Sequence, residues 1–361
     1  MRVLFLIPYP PEGASGRYRV LQYLPWLERE GISYQVRPFM SPKLYRTLYQ
    51  PGRLPQKVAM VSAAILKRFV DSIRSARADV VVIHREALPL GTALLERVAA
   101  RLCPAMIFDF DDAIYLNQTS APNAWTRRFK NARKTDTLIR LSAHIIAGNR
   151  VLEGYARQFN PHVTVIPTPV DTARYECRPA PQNGKRLVIG WIGSHTTAAY
   201  LGALQEPLAA ILERYPQVEL RVVGAGNVPL RLPRLQLIRW ELDREVDALH
   251  QFDIGVMPMP DDEWARGKCG FKALLYMSAG IPVVASPVGI NSEIVREGVN
   301  GFLATTHAQW TDVLSRLIDD RLLRQQMGQA GRAIVEQQYS VTVNAPRFLR
   351  VLRDVHERER A

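Results

Sequence analysis

The sequence predicts an α/β protein built from two doubly wound parallel sheets. Short apolar runs rich in β-branched residues recur along the chain, and each is followed by a stretch with helical character. This alternation is typical of parallel strands covered on both faces. The runs form two series, separated by a polar, Pro-rich stretch at residues 175–185. A length of 361 residues also suits two domains, each large enough to bury its own core.

The predicted strands set the domain boundaries. In the first series they are expected at residues 3–7, 79–83, 105–108, 144–147 and 163–166. In the second series they are expected at residues 187–192, 218–223, 236–238, 253–257 and 281–285. The first domain is therefore placed at residues 1–175 and the second at 185–340. The Arg-rich segment 341–361 has an apolar helical face, so we expect it to pack back on the first domain, with a frayed basic tail as the alternative.

Charge is distributed unevenly along the chain. The fractions of hydrophobic (47%) and charged (22%) residues exclude a disordered or fibrous protein. The 47 Lys and Arg against 34 Asp and Glu give a net charge of +13. Residues 1–180 hold 26 basic and 14 acidic residues, or +12, which leaves 21 and 20, or +1, for residues 181–361. Two halves with different binding partners are therefore expected.

No sign of secretion or of membrane insertion is found in the sequence. Cys103, Cys177 and Cys269 are widely spaced, form neither a disulfide ladder nor a metal-ligand pair, and fit a reducing compartment. The first apolar run stops at Pro8, which is too early for a secretory signal. The longest uncharged stretch, residues 273–292, is interrupted by Gly and Pro. A cytoplasmic location is therefore expected.

The segment Gly-Lys-Cys-Gly-Phe-Lys at residues 267–272 is the most informative about function. Lys268 and Lys272 are four residues apart at the predicted start of a helix, so one helical face would present two ammonium groups. Lysines are poor partners for the positive end of a helix dipole, and we therefore expect an anion such as a pyrophosphate there. Further on, Glu293 can accept hydrogen bonds from sugar hydroxyls. The alternative is two solvated lysines and a glutamate favoured by the helix dipole.

Several motifs occur in the order found in one enzyme family. The segment PVVASPVGINSEIVREGVNGFLA at residues 282–304 is the most specific, and FDIGVMPMPDD at 252–262 precedes the lysines. Gly193 ends the strand LVIGWIG, and Gly-Ala-Gly at 224–226 follows the strand VELRVV. In the first half, MRVLFLIPYPPEGASGRYR, IIAGNRVL and VIPTPVDTARY fit the same order.

With these motifs the chain resembles the group 1 glycosyltransferases (glycosyltransferase family 4) over nearly its whole length. The resemblance implies a GT-B fold, in which two Rossmann-like doubly wound domains face a cleft. It also implies a retaining transfer of a sugar from a nucleotide-sugar donor to a hydroxyl acceptor. Neither a resident cofactor nor a metal is expected, because the nucleotide sugar is a co-substrate and cations with helix ends take the place of the metal.

The resemblance implies a donor site in the second domain. The residues implied are Gly193, Ser194, His195, Trp240, Lys268, Lys272, Gly289, Asn291 and Glu293. Trp240 would either stack on the nucleobase or pack in the core. The chain departs from the family pattern, because Gly267 and Leu275 occupy the positions of its two paired glutamates and Ser194 replaces an arginine. It is therefore identified as a member of a subgroup with a GKCGFK motif, in which Lys268 and Lys272 bind the phosphates.

Polar residues also follow the first strands of the first domain, where the cleft is expected. The predicted loop at residues 13–19 presents small residues and arginines for an acceptor, or for donor phosphates across the cleft. Candidate acceptor-binding residues are Ser15, Gly16, Arg17, Arg19, Arg85 and Glu86, and candidate catalytic residues are His84, Asp111 and Asp112. The alternatives are a surface loop with solvated arginines, a metal-binding Asp-x-Asp motif, or a structural role with Asp109 as a helix cap and Asp112 paired to an arginine.

The basic half contains segments that suit an anionic membrane surface. Basic residues between positions 43 and 77 alternate with apolar ones, and a second basic cluster at residues 127–134 accompanies Trp125 and Phe129. We therefore expect peripheral contact with the cytoplasmic leaflet, where a lipid-linked or cell-envelope glycan precursor would be the acceptor. Solvated surface helices are the alternative.

Three other functions are alternatives to glycosyl transfer. A nucleotide-sugar epimerase of the same fold would need no acceptor, and so no cationic first domain. A nucleic-acid binder would use the basic half, but no recognised nucleic-acid module is present. A dinucleotide oxidoreductase is disfavoured because PYPPEGASG, and not G-x-G-x-x-G, follows the first strand.

Overall fold

A computed structural model of the chain describes residues 1–48, 50, 52–89, 91–116, 131, 133–178 and 186–361. The described chain divides into two compact units. The first comprises Met1–Pro169 together with Asn344–Ala361, and the second comprises Val170–Val343. Each unit contains one six-stranded parallel sheet. The predicted fold class of two Rossmann-like α/β domains is thereby confirmed.

The sheet of the first unit is built largely from the predicted apolar runs. Its strands are β1 (Arg2–Ile7), β2 (Ser33–Pro38), β3 (Val80–His84), β4 (Met106–Phe110), β5 (His144–Ala147) and β6 (Val163–Val165). They lie in the spatial order β2-β1-β3-β4-β5-β6. Strands β3 and β4 are buried along their whole length, as expected for central strands of a parallel sheet.

In the part of the first unit that the structure describes, seven α-helices connect these strands. They are α1 (Ala14–Arg19), α2 (Leu24–Arg29), α3 (Pro42–Leu48), α4 (Leu54–Ile73), α5 (Leu94–Leu102), α6 (Arg133–Leu141) and α7 (Arg150–Ala156). Helix α7 begins where the side chain of Asn149 accepts a 2.9 Å hydrogen bond from the N–H of Leu152, an N-cap that satisfies one exposed backbone donor.

The second unit repeats the architecture with its own sheet. Its strands are β7 (Leu187–Ile192), β8 (Val218–Val223), β9 (Leu235–Ile238), β10 (Ile254–Met257), β11 (Val283–Ala285) and β12 (Gly301–Leu303). Their spatial order is β12-β11-β10-β7-β8-β9. Read from β9, this is the third, second, first, fourth, fifth and sixth strand of the unit, which is the strand order of dinucleotide-binding domains.

The described helices of the second unit range from 4 to 14 residues. They are α8 (His195–Ala198), α9 (Gln205–Arg214), α10 (Glu245–His250), α11 (Glu263–Arg266), α12 (Phe271–Ser278), α13 (Asn291–Ile294), α14 (His307–Asp319) and α15 (Arg321–Ile334). Helix α14 starts with a reciprocal capping box between Thr306 and Gln309. Within the described residues of both units, no helix is long and apolar enough to cross a bilayer.

The last helix, α16 (Val341–Arg358), begins in the second unit and belongs to the first from Asn344 onward. In the first unit the ring of Phe348 stacks 4.5 Å from that of Tyr23 and 6.4 Å from that of Phe5. The apolar face predicted for this segment is therefore buried against the core of the first unit.

The segment that leads into the second unit belongs to that unit already from Val170. The N–H of Val170 donates a 2.8 Å hydrogen bond to the carbonyl of Tyr339, and Arg178 forms a 2.6 Å ion pair with Asp253. The predicted end of the first domain at residue 175 thus falls inside the second unit. Residues 179–185 of the predicted linker lie outside the described residues, as do residues 117–130 with most of the second basic cluster.

Two strands are absent from the sequence prediction, β2 and β12, and both lie at sheet edges. Strand β2 has an alternating pattern of exposed and half-buried residues, not a continuous apolar run. Strand β12 has only three residues. Strand β2 is missed because an edge strand does not need two apolar faces, and β12 is missed because its buried run is too short.

Candidate functional site

The candidate site of the first unit lies where the order of its strands reverses. The chain leaves β1 toward β2 on one side and returns to β3 on the other, so the carboxyl ends of β1 and β3 flank the switch point. Ligands of doubly wound sheets bind outside the strand ends at this position. His84 is the last residue of β3, and its register partner in β4 is Asp109.

His84 and Asp109 form a buried polar pair in this site. Nδ1 of His84 lies 2.6 Å from Oδ2 of Asp109, and Arg19 forms an ion pair with the same carboxylate. Burial alone would raise the pKa of Asp109, but the Arg19 guanidinium and the hydrogen bond with His84 outweigh it and lower that pKa. An ionised Asp109 accepts a hydrogen bond from Nδ1–H of His84 and fixes the imidazole ring, so that Nε2 points to Ser15.

Ser15 extends the pair toward the surface. Its Oγ lies 2.5 Å from Nε2 of His84 and 3.4 Å from both carboxylate oxygens of Asp111. Ser15 is half-buried, whereas His84 is completely buried. Asp109, His84 and Ser15 therefore form a hydrogen-bonded chain, and Asp111 lies beside its outer end. These four residues are named the Ser15 relay below, and Ser15 is more exposed than either His84 or Asp109.

The structure corrects the prediction for residues 13–19. The sequence predicts a loop, but α1 occupies Ala14–Arg19. Arg17 is buried and donates a 2.9 Å hydrogen bond to Tyr18 Oη, and Arg19 is 2% exposed and also donates to the carbonyl of Ile166 at 2.7 Å. Gly16 packs closely on the end of β1, since a Cβ there would lie 3.3 Å from Cδ1 of Ile7. Arg19 thus stabilises the site from inside instead of presenting its guanidinium to a ligand.

Arg85 holds the two candidate catalytic aspartates. Its Nε donates a 2.6 Å hydrogen bond to Asp111 Oδ1, and the same guanidinium pairs with Asp112. Burial opposes ionisation of Asp111, but the charge of Arg85 outweighs it and places the pKa of that carboxyl well below its usual value. A carboxylate of such low pKa is a poor proton acceptor. The expected structural alternative, an arginine paired to Asp112, is therefore present, and Asp111 is better suited to orienting Ser15 than to acting as a base.

A set of ion pairs around Lys134 and the strained backbone of Arg85 complete the surroundings of this switch point. Glu86 lies 3.6 Å from the ammonium of Lys134, which also forms a 2.9 Å ion pair with the buried carboxylate of Glu96. Arg85 has a positive φ of 59°, a conformation that non-glycine residues adopt rarely and at a cost of about 1–3 kcal/mol. The ion pairs with Asp111 and Asp112 offset that strain.

The candidate site of the second unit contains Lys272 and Gly193. The ammonium of Lys272 lies 5.4 Å from the centre of the Trp191 ring. A Cβ at position 193 would lie 2.6 Å from Cε of Lys272 and from the Trp191 ring, so only glycine leaves room for the lysine at the end of β7. The structure thus brings two predicted donor-binding residues together at the point where the strand order of this unit reverses.

Lys268 occupies a different position from the predicted one. Helix α12 begins at Phe271, so Lys268 precedes it and Lys272 lies in its first turn. The two ammonium groups do not share one helical face, because Gly270 takes a left-handed conformation with φ of 62° and separates α11 from α12. Lys268 lies instead over the ring of Trp264, 5.0 Å from its centre.

Tyr276 is a residue of this site that the sequence prediction misses. The N–H of Ile192 donates a 3.0 Å hydrogen bond to Tyr276 Oη, which in turn donates to the carbonyl of Val256 at 3.3 Å. In the pairing of β7 with β10, Ile189 lies opposite Ile254 and Gly190 lies opposite Gly255. The tyrosine hydroxyl links the two strands further along, toward their carboxyl ends. The sequence signal that could have indicated this contact is the glycine inside each of the two apolar strands. Gly255 leaves the space that the ring of Tyr276 occupies.

Trp240 is held by a buried carboxylate. Its Nε1 donates a 2.9 Å hydrogen bond to Glu245 Oε1, and the other oxygen of Glu245 accepts a 2.6 Å hydrogen bond from Tyr175 Oη. Trp240 is half-buried. The indole ring is therefore fixed in orientation with part of its surface accessible, and both predicted roles, base stacking and packing, stay compatible with its position.

The remaining predicted donor residues separate into exposed and buried ones. Ser194, His195 and Glu293 are exposed. Gly289 has φ of 56°, and a Cβ there would lie 2.6 Å from the carbonyl oxygen of Arg266. Asn291 is completely buried and donates a 3.1 Å hydrogen bond to the carbonyl of Ser286. Asn291 thus holds its own loop, which corrects its assignment as a ligand contact.

Among the described residues, no group of three or more His, Cys, Asp or Glu side chains is arranged to hold a metal ion. The Asp-x-Asp alternative rests on Asp109 and Asp111. The two carboxylates instead form ion pairs with Arg19 and Arg85, respectively. The residues present therefore do not fit a metal–diphosphate site at this motif.

Comparison with known protein families gives a match within the second unit. A family model described as "Glycosyl transferases group 1" matches residues 186–320, a segment that contains Gly193, Trp240, Lys268, Lys272 and Glu293. A D-inositol 3-phosphate glycosyltransferase from Nocardia farcinica is 28% identical over 196 residues, which are 46% of this chain and 42% of the relative. This chain thus spans less than half the length of that relative.

Longer matches have lower identity. A GDP-mannose-dependent monoacylated alpha-(1-6)-phosphatidylinositol monomannoside mannosyltransferase from Corynebacterium glutamicum is 22% identical over 329 residues, 84% of each chain. The structure of Anabaena Alr3699/HepE in complex with UDP-glucose has a TM-score of 0.68 at 17% identity, covering 98% of this chain and 100% of that chain. Sucrose-phosphate synthase from Thermosynechococcus elongatus has a TM-score of 0.67 at 15% identity, covering 98% and 99%. At these identities the solved structures establish the fold alone, which is that of GT-B glycosyltransferases.

Proposed function

We propose that this protein is a glycosyltransferase that moves a sugar from a nucleotide-sugar donor to a hydroxyl acceptor, with retention at the anomeric carbon. The observation that carries the proposal is the position of Lys272 against Gly193 at the strand reversal of the second unit. That cation lies at strand ends where doubly wound sheets bind ligands, inside the segment that matches the group 1 family model. The proposal includes membership of a subgroup with a GKCGFK motif in place of the usual paired glutamates.

The second unit would bind the donor through its diphosphate. Lys272 and Lys268, with Ser194 and His195, supply the positive charge and hydrogen-bond donors that stabilise a departing diphosphate, and they are fixed before the reaction by aromatic rings and helix starts. Trp240 would contact the nucleobase. Gly289 and Glu293 would contact the sugar.

The first unit would bind the acceptor at the Ser15 relay and Arg85. In this reading His84 and Asp109 are positioning residues, because both are buried and act through Ser15. Ser15, Asp112, Arg85 and Glu86 are the groups placed to meet acceptor hydroxyls. No covalent enzyme intermediate is invoked, since the leaving diphosphate can accept the acceptor proton on the face of attack. No metal and no resident cofactor is part of the proposed reaction.

A lipid-linked or cell-envelope glycan precursor is the proposed acceptor class, reached from the cytoplasm at an anionic membrane surface. Two observations support it. The first 180 residues carry a net charge of +12, and the Corynebacterium relative is named for action on a monoacylated phosphatidylinositol mannoside. A basic unit near a phosphorylated lipid fits both.

The test is transfer by the purified chain from a panel of UDP- and GDP-sugars to lipid-linked and water-soluble acceptors, followed by mass spectrometry. We expect one donor to give a product whose anomeric configuration, read from its NMR coupling constant, equals that of the donor. Inverted configuration would contradict retention. Conversion of a nucleotide sugar without any acceptor would favour the epimerase alternative.

A further inference from the structure

Helix α4 (Leu54–Ile73) buries polar residues and exposes apolar ones in its second half. Leu66 is 70% exposed, and Phe69, Val70 and Ile73 are each 47–48% exposed. Arg68, on the opposite side of the helix, is completely buried. A helix at the surface of a water-soluble protein has the reverse arrangement. An apolar environment would therefore stabilise the outer face of α4.

The polar inner side of α4 is tied to the first unit and fixes the rotation of the helix. Arg68 Nη2 donates a 2.8 Å hydrogen bond to the carbonyl of Ile7 at the end of β1. The carboxylate of Asp71, 1% exposed, lies 3.1 Å from Arg74 and 3.8 Å from Arg37. The helix cannot turn its apolar stripe inward without breaking these buried contacts, which would leave the buried charges of Arg68 and Asp71 unpaired.

The inner face of α4 also has its own apolar partners. Ala64 packs with Phe39 and Leu44 in a small core to which Met60 and Ile65 contribute. The exposed apolar residues are therefore a second apolar face. Together with Leu54 and Val58, both more than half exposed, they form a stripe along a 20-residue helix, a length of about 30 Å.

The charge around this stripe has one sign. Residues 31–67 contain six Lys and Arg, namely Arg37, Lys43, Arg46, Arg53, Lys57 and Lys67, and no Asp or Glu, whereas Arg68 and Asp71 further along α4 are buried. A second copy of the chain seated on this face would bring like charges together. A surface of anionic lipid headgroups over an apolar interior is complementary to both the charge and the stripe.

We propose that α4 lies in the interface of an anionic lipid bilayer, with Leu66, Phe69 and Ile73 inserted among the acyl chains. The inference identifies the surface that docks, and it shares with the proposed function only the expectation of a membrane. Docking of α4 does not require sugar transfer, and vesicle binding alone tests it.

The test is cosedimentation of the full chain with phosphatidylcholine vesicles, with and without phosphatidylglycerol. We expect binding to the anionic vesicles only, weakened by salt. The double variant Leu66→Ser/Phe69→Ser should bind them at least about tenfold more weakly, because burial of two large apolar side chains is lost. The matched control Leu322→Ser/Val299→Ser removes two side chains that are 67% and 50% exposed in the second unit, and it should bind like the unaltered chain.

Three outcomes overturn the inference. These are absence of binding by the unaltered chain, equal binding by the double variant, and self-association that the double variant abolishes without any vesicle binding. Since the replaced residues are exposed, thermal unfolding should occur at the same temperature or higher, which separates lost docking from lost folding. Transfer to a water-soluble acceptor, measured on the same variants, distinguishes the two proposals. If the unaltered chain shows no transfer, that result counts against the proposed function and not against the docking of α4. If the double variant loses vesicle binding but keeps normal transfer, that result supports the docking of α4 and leaves the proposed function unchanged.

Discussion

Nδ1 of His84 lies 2.6 Å from a carboxylate oxygen of Asp109, and neither side chain is more than 2% exposed. The pair joins the ends of two neighbouring strands at the switch point of the first sheet. Because Arg19 keeps Asp109 ionised, the histidine is held in one orientation, and its other nitrogen faces Ser15. The buried pair thus prepares a surface group for contact with a ligand.

Replacing Asp109 by Asn should strongly destabilise the first unit. The substitution keeps the shape of the side chain but leaves the buried Arg19 guanidinium without its counter-charge, which costs about 3–5 kcal/mol. The measurement is the free energy of unfolding in urea. Glu153→Gln is the matched control, because it removes an ion pair between a half-buried Glu153 and an exposed Arg157, which is worth about 1 kcal/mol or less. Equal losses in the two variants would show that the buried pair has no special role.

Replacing Ser15 by Ala should lower the rate of transfer strongly, with a loss of stability of about 1–3 kcal/mol because the buried Nε2 of His84 loses its partner. Ser15 is the half-exposed end of the relay, so its loss removes the contact with the acceptor and leaves His84 and Asp109 in place. We expect kcat to fall about 100-fold, as is typical when a reacting hydroxyl is no longer held in position, while the KM for the donor stays the same. A raised donor KM with normal kcat would place Ser15 at the donor instead.

Replacing Tyr276 by Phe should weaken nucleotide binding as well as stability. The backbone N–H of Ile192 and the carbonyl of Val256 lose their shared partner, which costs about 1–3 kcal/mol, and the end of β7 next to Gly193 is no longer fixed. Tyr215→Phe is the control, since it removes a 2.8 Å hydrogen bond to Asp319 at another part of the same unit. Only Tyr276→Phe should raise the dissociation constant of the nucleotide in calorimetry. An unchanged constant would make Tyr276 purely structural.

The sequence predicts the central strands and places the polar groups at their carboxyl ends, because continuous apolar runs and the residues after them are visible along the chain. It does not predict that Arg19 pairs with Asp109 across 90 residues, or that Tyr276 reaches the end of β7. Such contacts depend on how elements pack in three dimensions. The same limit explains Lys268 and Lys272, whose four-residue spacing predicts one helical face, whereas the turn at Gly270 separates them.

Acid should destabilise the first unit through His144. Burial, followed by the nearby charges of Arg358 and His162, lowers the pKa of His144 from 6.5 to about 4. The unfolded chain therefore binds a proton at this residue below pH 6.5 that the folded chain does not bind until about pH 4, so the stabilising contribution is present above 6.5 and is lost as pH falls. His144→Gln should make the free energy of unfolding less sensitive to pH between 6.5 and 4. An unchanged pH dependence would contradict this assignment.

Calorimetric titration of nucleotide sugars into the chain tests most directly the central claim, that Lys268 and Lys272 bind the diphosphate of the donor. We expect one UDP- or GDP-sugar to bind, and the variant Lys268→Ala/Lys272→Ala to bind it at least about 100-fold more weakly, since each charge-assisted hydrogen bond contributes about 1.5–3 kcal/mol. Arg214→Ala, which removes a cation lying 5.2 Å over the ring of Tyr215 in the same unit, should bind normally. Equal affinity of the lysine variant and the unaltered chain, or no binding of any nucleotide sugar, would contradict the claim.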